Sequence, residues 1–483
     1  MILLCLALAW LMGSGLVRWL FPAPLRSTLQ NALVLSLGAG VGIGIASSLY
    51  FLTLALVGPK ILVLASVEGV ALVAALALAI LTARRGTLLE WAPGPPTPWY
   101  FTAALGVAVA SAVTMFIFCT LTKPHGEWDA WAIWNMRARF LFRGGEFWRD
   151  AFSNQLDWSH PDYPLLLPGI VAMCWTLARA ESTLASTGAA LLFTFGIAGV
   201  LISTLGILRG KTQALIAGTL LLGGVSLIVN GANQYADVPL SYFILATLGL
   251  LCLQDHYPDD LRFSVLAGLT AGFAAWTKNE GMFFLVAMIA ARAWAISRYG
   301  NRATLAPQFL RLAAGLAAPL AVIAIFKLRF APPNDLLARQ PHQIVAHLAD
   351  ISRWITVIQE YVVEPFRIGE YLVPVILVLG VYWYLVRFKV EQQDRPGIAT
   401  IIIAAGLMLA AEFAIYVALP GDPSWQTKTS FDRLLIQLWP SALLAFFIAA
   451  NTPQLQAKSK AAEKGKAAEK GKTAKRAAKP AAK

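Results

Sequence analysis

The sequence predicts an all-α polytopic membrane protein, and three observations carry that prediction. Of its 483 residues, 58% are hydrophobic and 13% are charged, about half the roughly 25% charge content of a soluble domain. The mean hydropathy is +0.64, and the apolar residues fall in long unbroken runs, not in the alternating pattern of a transmembrane β-barrel. The charges are also segregated: residues 452–483 hold ten Lys/Arg and two Glu, so that stretch carries +8 of the chain's +13.

A helix needs about 20 mainly apolar residues to cross the hydrocarbon core. Thirteen runs of that kind follow one another near 2–17, 31–56, 61–82, 101–121, 184–207, 212–230, 238–254, 261–277, 280–297, 310–328, 368–387, 398–419 and 434–451. A further apolar stretch, 164–180, is short and opens with Pro164, Pro168 and Gly169; it reads as a re-entrant or surface-lying helix. Lys and Arg in short loops stay cytoplasmic. The basic loops are Arg18/Arg26, Arg84/Arg85, Arg209/Lys211, Arg298/Arg302 and Arg387/Lys389/Arg395, followed by the tail. All share one side only if 164–180 does not cross, which puts the Met1 end outside and the tail inside. The acidic loop 255–260 is the exception on that side.

This scheme divides the chain into three parts: 1–100 with three extra transmembrane helices, a 101–451 transmembrane core, and a disordered 452–483 tail. The tail has no apolar face with which to offset its ordering entropy. It either adheres to the anionic inner leaflet, at about 1 kcal/mol per basic side chain, or serves only solubility and orientation. The opening residues lack a basic flank and a small-residue cleavage site, so a removable signal peptide is not expected. Cys5, Cys119, Cys174 and Cys252 lie in or beside apolar runs without metal or disulfide spacing and read as buried thiols.

Three longer polar segments, 122–163, 329–367 and 420–433, face outward. The first is rich in Trp, Phe and Arg, as suits short helices at the headgroup level. An interface anchor would not need Glu127, Asp129, Asp157, His160 and Asp162 as well, because carboxylates near a bilayer are costly unless hydrated or paired. Asp129, where a helix emerges, is placed to take a proton from an acceptor hydroxyl; equally, Asp is a favoured helix N-cap. Glu127 lies two residues away and need not share its site. The His160-Pro-Asp162-Tyr163-Pro164 segment is either a pocket wall or a rigid corner. Asp237, in NQYADVPLSYF, is a cap or a site residue, and Lys278 and Glu280, in WTKNEG, either serve a site or pair with each other. Arg433, in TSFDRLLIQLWP, stands outward against the charge bias. It is a natural partner for a lipid phosphate, or a bridge to Asp432 or another outer carboxylate.

Taken together, EWDAW, HPDYPLLLP, YADVPLSYF, WTKNEG and DRLLIQLWP, in that order from about residue 125 to 440, resemble the GT-C superfamily of membrane glycosyltransferases. The branch most similar is the bacterial one related to protein O-mannosyltransferases and lipid A aminoarabinose transferases. That resemblance implies a first extracytoplasmic loop containing surface helices, and transfer of a sugar from a polyprenyl-phosphate carrier to an acceptor, with inversion. It implies Asp129 as general base and a donor pocket shaped by His160, Asp162 and Tyr163. Asp237 would lie on the acceptor side, with Lys278 and Arg433 on the carrier phosphate. The sequence departs from the family in reading HPDYP where the family has an HPP-type motif, and in carrying three helices before the family core. The resemblance makes no cofactor certain: some members use a divalent metal and others do not, and Asp129 and Asp237 are the candidate ligands. The implied partners are the polyprenyl-phosphate-sugar donor, a glycan, lipid or protein acceptor, and membrane lipids; no nucleic acid is expected. The implied location is the inner (plasma) membrane, with the site facing the periplasm or exterior.

The main alternative is a transporter or flippase for a lipid-linked sugar or similar amphipath. Transporters usually carry internal repeats and midplane charges; no clear repeat is present, and Glu68 and Glu412 stand singly in their runs. A lipid-binding scaffold without chemistry is the third class.

Overall fold

The computed structural model describes residues 1–21, 27–82, 89–94, 96–334, 341–370, 372–418 and 421–451. The tail 452–483, Arg26 and the Arg84/Arg85 pair lie outside the described residues. Helices make up the fold. Among the described residues, the strand-like element is one antiparallel bridge between Phe388 and Ala450.

Helices α1 (Ile2–Leu20), α2 (Thr28–Val57) and α3 (Ile61–Thr82) come first. The start of α2 has orphan N–H donors to satisfy, and Ser27 supplies the cap: its Oγ accepts from the Gln30 N–H at 3.2 Å. The same hydroxyl donates to the Leu89 carbonyl at 2.5 Å, and the Gln30 side-chain oxygen accepts from the Leu89 N–H at 3.0 Å. Close approach of α1 to α2 depends on glycine. A Cβ at Gly42 would overlap the Ala9 carbonyl oxygen, and one at Gly13 the Gly38 carbonyl oxygen. In lipid there is little hydrophobic drive between helices, so small residues that let backbones approach do much of the work.

The chain continues through α4 (Trp99–Thr122), α5 (Asn135–Arg143), α6 (Leu166–Ala178), α7 (Leu184–Arg209), α8 (Lys211–Leu222), α9 (Val225–Ala232) and α10 (Asp237–His256). Helix α10 is the hub, its apolar stretch fully enclosed by the other helices. Its Tyr242 hydroxyl lies 2.6 Å from the Ser36 carbonyl oxygen and accepts from the Gly40 N–H at 3.3 Å, fixing α10 to α2. By contrast α3 and α4 bury only 11% of their apolar windows and present the rest to lipid.

The second half comprises α11 (Arg262–Thr277), α12 (Asn279–Tyr299), α13 (Leu305–Arg329), α14 (Pro341–Ala349), α15 (Ile351–Val363), α16 (Val375–Val386), α17 (Arg395–Ala418) and α18 (Pro423–Ala449). Side-chain contacts sort the helix ends into two groups. At one end Arg209 reaches the Ile448 carbonyl at 2.6 Å and Asp394 at 3.5 Å, and His256 lies 3.5 Å from Asp394. At the other, Lys278 meets Asp237, Lys327 meets Asp162 and Arg433 meets Asp129.

Among the described residues, ten helices are long and apolar enough to cross a membrane, or twelve if two bent pairs each count as one span. These pairs, Lys211–Leu222 with Val225–Ala232 and Ile351–Glu370 with Val375–Val386, bend by 61° and 85°. The sequence run 261–277 makes the difference from thirteen. It becomes the 16-residue α11, about 24 Å long, yet it joins Asp260 at one end to Lys278 at the other. Helix α6 has 13 residues, about 20 Å. It is buried from Leu166 to Trp175 and so does not lie on the surface.

Gly42→Ala should therefore lower thermal stability in detergent through overpacking, by about 1–3 kcal/mol. Gly69→Ala, whose Cβ would meet nothing within 4 Å, should leave the unfolding curve in place. Identical curves for both variants would refute the packing argument.

Candidate active site

The site is assembled from four segments remote in sequence. After α4, Gly126 takes φ +75°, and a Cβ there would overlap the Asn233 carbonyl oxygen. This left-handed turn brings the Glu127 N–H to 3.2 Å from that same carbonyl. The chain then re-enters a helix whose first turn, Ala130–Trp134, has π geometry; such turns recur at functional sites. Asp129 makes no capping bond, so the cap reading does not describe its side chain. Its Oδ2 instead accepts from Arg433 Nη1 at 2.5 Å.

Arg433 and Gln437 lie four apart on α18 and share a face. Gln437 Nε2 donates to Asp237 Oδ1 at 2.6 Å, and Arg433 Nη1 lies 3.8 Å from Asp237 Oδ2. Asp237 stands in the first turn of α10, is 1% exposed, and makes no capping bond. Lys278 is a single extended residue between α11 and α12. Its Nζ lies 3.1 Å from Asp237 Oδ1 and 2.7 Å from Glu280 Oε1. Pairing with Glu280 is thus half of what Lys278 does. Arg433, for its part, bridges two carboxylates, Asp129 and Asp237, and stacks at 4.9 Å on the Tyr235 ring.

The electrostatics follow from this geometry. Burial alone would pull the Lys278 ammonium down; the Asp237 and Glu280 carboxylates outweigh it and hold the group well above the ordinary lysine range. Burial pushes the Tyr235 phenol up to about 12, and the Asp129 carboxylate adds to the rise while Arg433 opposes it. Glu412, single in its sequence run, lies on α17 within electrostatic reach of Glu280, Lys278 and Asp237.

The His160–Tyr163 motif forms an adjoining cluster. His160 adopts a left-handed conformation with φ 51°, and its ring stacks on Tyr163 at 4.9 Å, which stacks in turn on Trp134 at 5.8 Å. Asp162 is buried and accepts from Asn279 and Asn334 Nδ2, both at 2.8 Å; Lys327 lies 3.6 Å from its carboxylate and donates to its backbone carbonyl at 2.6 Å. Arg137, fully buried, donates to the Tyr163 carbonyl at 2.5 Å, and burial lowers its guanidinium to about 10. Asn279 follows Lys278 directly and so joins the two clusters. Glu127 stays apart, turned to an ion pair with Lys123.

Sequence reading did not single out Tyr235, Gln437, Asn279, Asn334, Lys327 or Arg137. Three of them carried a signal: Gln437 sits one helical turn beyond Arg433, Asn279 lies inside WTKNEG, and Tyr235 opens YADVPLSYF. Lys327 and Arg137 resembled ordinary basic residues at a helix end and in a basic loop.

A narrow apolar cleft lies beside Tyr235, lined by Trp134, Val171, Ala189, Tyr235, Val238 and Pro239 among others. Asp129 and Asp237 do not fit a divalent metal, since both turn toward the guanidinium of Arg433. Among the described residues no group of three or more His, Cys, Asp or Glu could hold one.

No family model matches the chain, and no curated protein matches it. Among solved structures it is similar to the crystal structure of ArnT from Cupriavidus metallidurans in the apo state. The identity is 16% and the TM-score 0.45, over 72% of this chain and 59% of that one. The chain thus spans about three fifths of that protein's length.

Breaking a buried ion pair leaves an uncompensated charge. Lys278→Met should therefore lower thermal stability by about 3–5 kcal/mol, and adding Asp237→Asn should restore part of the loss. A single variant as stable as the parent would show that the pair does not hold this end together.

Proposed function

We propose that the chain is an integral-membrane glycosyltransferase of the GT-C type. It moves a sugar from a polyprenyl-phosphate-linked donor to an acceptor hydroxyl. One observation carries the reading: a carboxylate open to the surface, Asp129, is coupled through Arg433 to a buried cation site of Lys278 and Asp237, beside an apolar cleft at one end of a membrane bundle. A lipid-linked phosphate sugar needs those parts together. Its chain needs apolar surface, its phosphate needs cations, and its acceptor needs a base.

In the proposed step, the acceptor oxygen attacks the anomeric carbon as the bond from that carbon to the phosphate oxygen breaks. Asp129 takes the hydroxyl proton, a contribution of about 10²- to 10⁴-fold. Arg433 and Lys278 stabilise the charge developing on the departing polyprenyl phosphate. A single displacement inverts the anomeric centre. Trp134, Tyr163 and His160 form a stacked aromatic wall beside this centre, and Asp162 holds the corner that carries it. The positive-inside bias of the basic loops supports a reading in which the Arg209 end is cytoplasmic and the site faces the periplasm or exterior.

The test is transfer of labelled sugar from a polyprenyl-phosphate donor to a membrane extract. Asp129→Asn should reduce it by about 10²-fold or more with the unfolding temperature retained. Unchanged transfer removes Asp129 as the base, and flux across proteoliposomes without covalent product favours a transporter instead.

A further inference from the structure

This inference rests on the transferase reading and concerns how its base becomes available. Two carboxylates share one guanidinium, and they are held unequally. Asp237 is 1% exposed and has Lys278 and Gln437 as further partners. The Asp129 side chain is 19% exposed, and Arg433 is its one partner among the described residues. Counting Glu280, three carboxylates stand against two cations, Arg433 and Lys278. A sugar-linked carrier phosphate, a diester anion, meets excess negative charge on approaching this group, with one donor of the best phosphate ligand, Arg433, already taken. Arg433 Nε, buried and without a protein partner, supplies a second donor for an incoming oxyanion, and guanidinium binds phosphate through paired hydrogen bonds. The carboxylate that can yield is Asp129, because it has water to move into and only one bond to lose. It also lies directly before the π turn of Ala130–Trp134, where the backbone ladder departs from regular α geometry.

We infer that the carrier phosphate displaces Asp129 from Arg433, and that this exchange releases the Asp129 carboxylate to act as proton acceptor. No covalent bond changes: phosphate and carboxylate trade places on one guanidinium. While Asp129 is bound to Arg433, its Oδ2 is occupied as a hydrogen-bond acceptor. Once phosphate takes that arm, the oxygen is open to the acceptor hydroxyl. Donor binding and base release become one event: a hydroxyl arriving alone meets a carboxylate whose Oδ2 is held by Arg433.

The exchange makes a prediction opposite to that of an ordinary site residue: removing the base should tighten carrier binding. Farnesyl phosphate serves as the probe, titrated into the full-length protein in detergent at fixed ionic strength. Asp129→Asn should bind it at least about tenfold more tightly than the parent, and Arg433→Gln should weaken binding in both backgrounds. Carbodiimide labelling of Asp129 in the parent, read by peptide mass spectrometry, should rise when farnesyl phosphate is added. This second readout needs no variant to fold. Arg433-dependent binding that Asp129→Asn leaves equal or weaker, or labelling that does not rise, overturns the exchange and leaves the transferase reading standing. Farnesyl phosphate binding that is absent, or indifferent to Arg433, overturns both.

Discussion

The structure at the site end depends on keeping Asp237 charged where almost no water reaches it. An ion with so little exposure costs several kcal/mol in lost hydration and is retained only with close, well-directed partners. Those partners cannot come from α10 itself, because Asp237 stands in its first turn and its neighbours there are apolar. Lys278 comes from the α11–α12 link, and Gln437 and Arg433 come from α18. Meeting one carboxylate's demand therefore fixes three elements relative to one another. Because Arg433 Nη1 also donates to Asp129, the loop after α4 is tied to the same cation.

The opposite end uses the same residue types differently. Arg292 donates two hydrogen bonds to Asp255, at 2.9 and 2.6 Å, and a third to Gln308 Oε1 at 2.9 Å. Arg262 pairs with Asp260, so two of the three aspartates in the loop 255–260 are matched by arginines packed against it. This removes most of its weight as an exception to the charge bias. Arg209 ties Asp394 and the Ile448 carbonyl into one clamp. Each of these cations is held by several protein groups from fixed helices and behaves as a rivet. At the site end a cation is divided between one deeply held carboxylate and one loosely held carboxylate, an arrangement suited to exchange.

The fold class was legible because hydrocarbon imposes a length and a polarity on any helix that crosses it, and these leave their mark on each run separately. The site was legible only in part, for a related reason. Asp129, Asp237, Lys278 and Arg433 stand out as charges beside apolar runs, where each is costly enough to require a purpose. Their mutual pairing was not legible, since Arg433 finds Asp129 across 304 positions of chain. Glu127 shows the converse: it looks like Asp129 in the sequence, yet an exposed lysine four residues earlier satisfies it locally. Asn334 is a neutral residue in a polar segment, where nothing about cost marks it out, and Tyr235, though it opens YADVPLSYF, carries no charge to mark it. The run 261–277 was legible as a helix but not as a shorter one.

The first three helices, for which the sequence suggested no task, reach the site through one hydroxyl. Ser47 on α2 donates to the Leu165 carbonyl at 2.9 Å, one residue beyond the His160–Pro164 corner. It also accepts from Trp276 Nε1 at 3.2 Å, two residues before Lys278. Gly169 on α6 lies so close to Ser47 that a Cβ would overlap its Oγ. A single side chain of α2 thus braces both the aromatic corner and the lysine hairpin. The glycine packing that seats α1 against α2 sets where that side chain stands. Position at the site is therefore inherited from backbone contacts deep in the bundle, among residues that carry no charge at all.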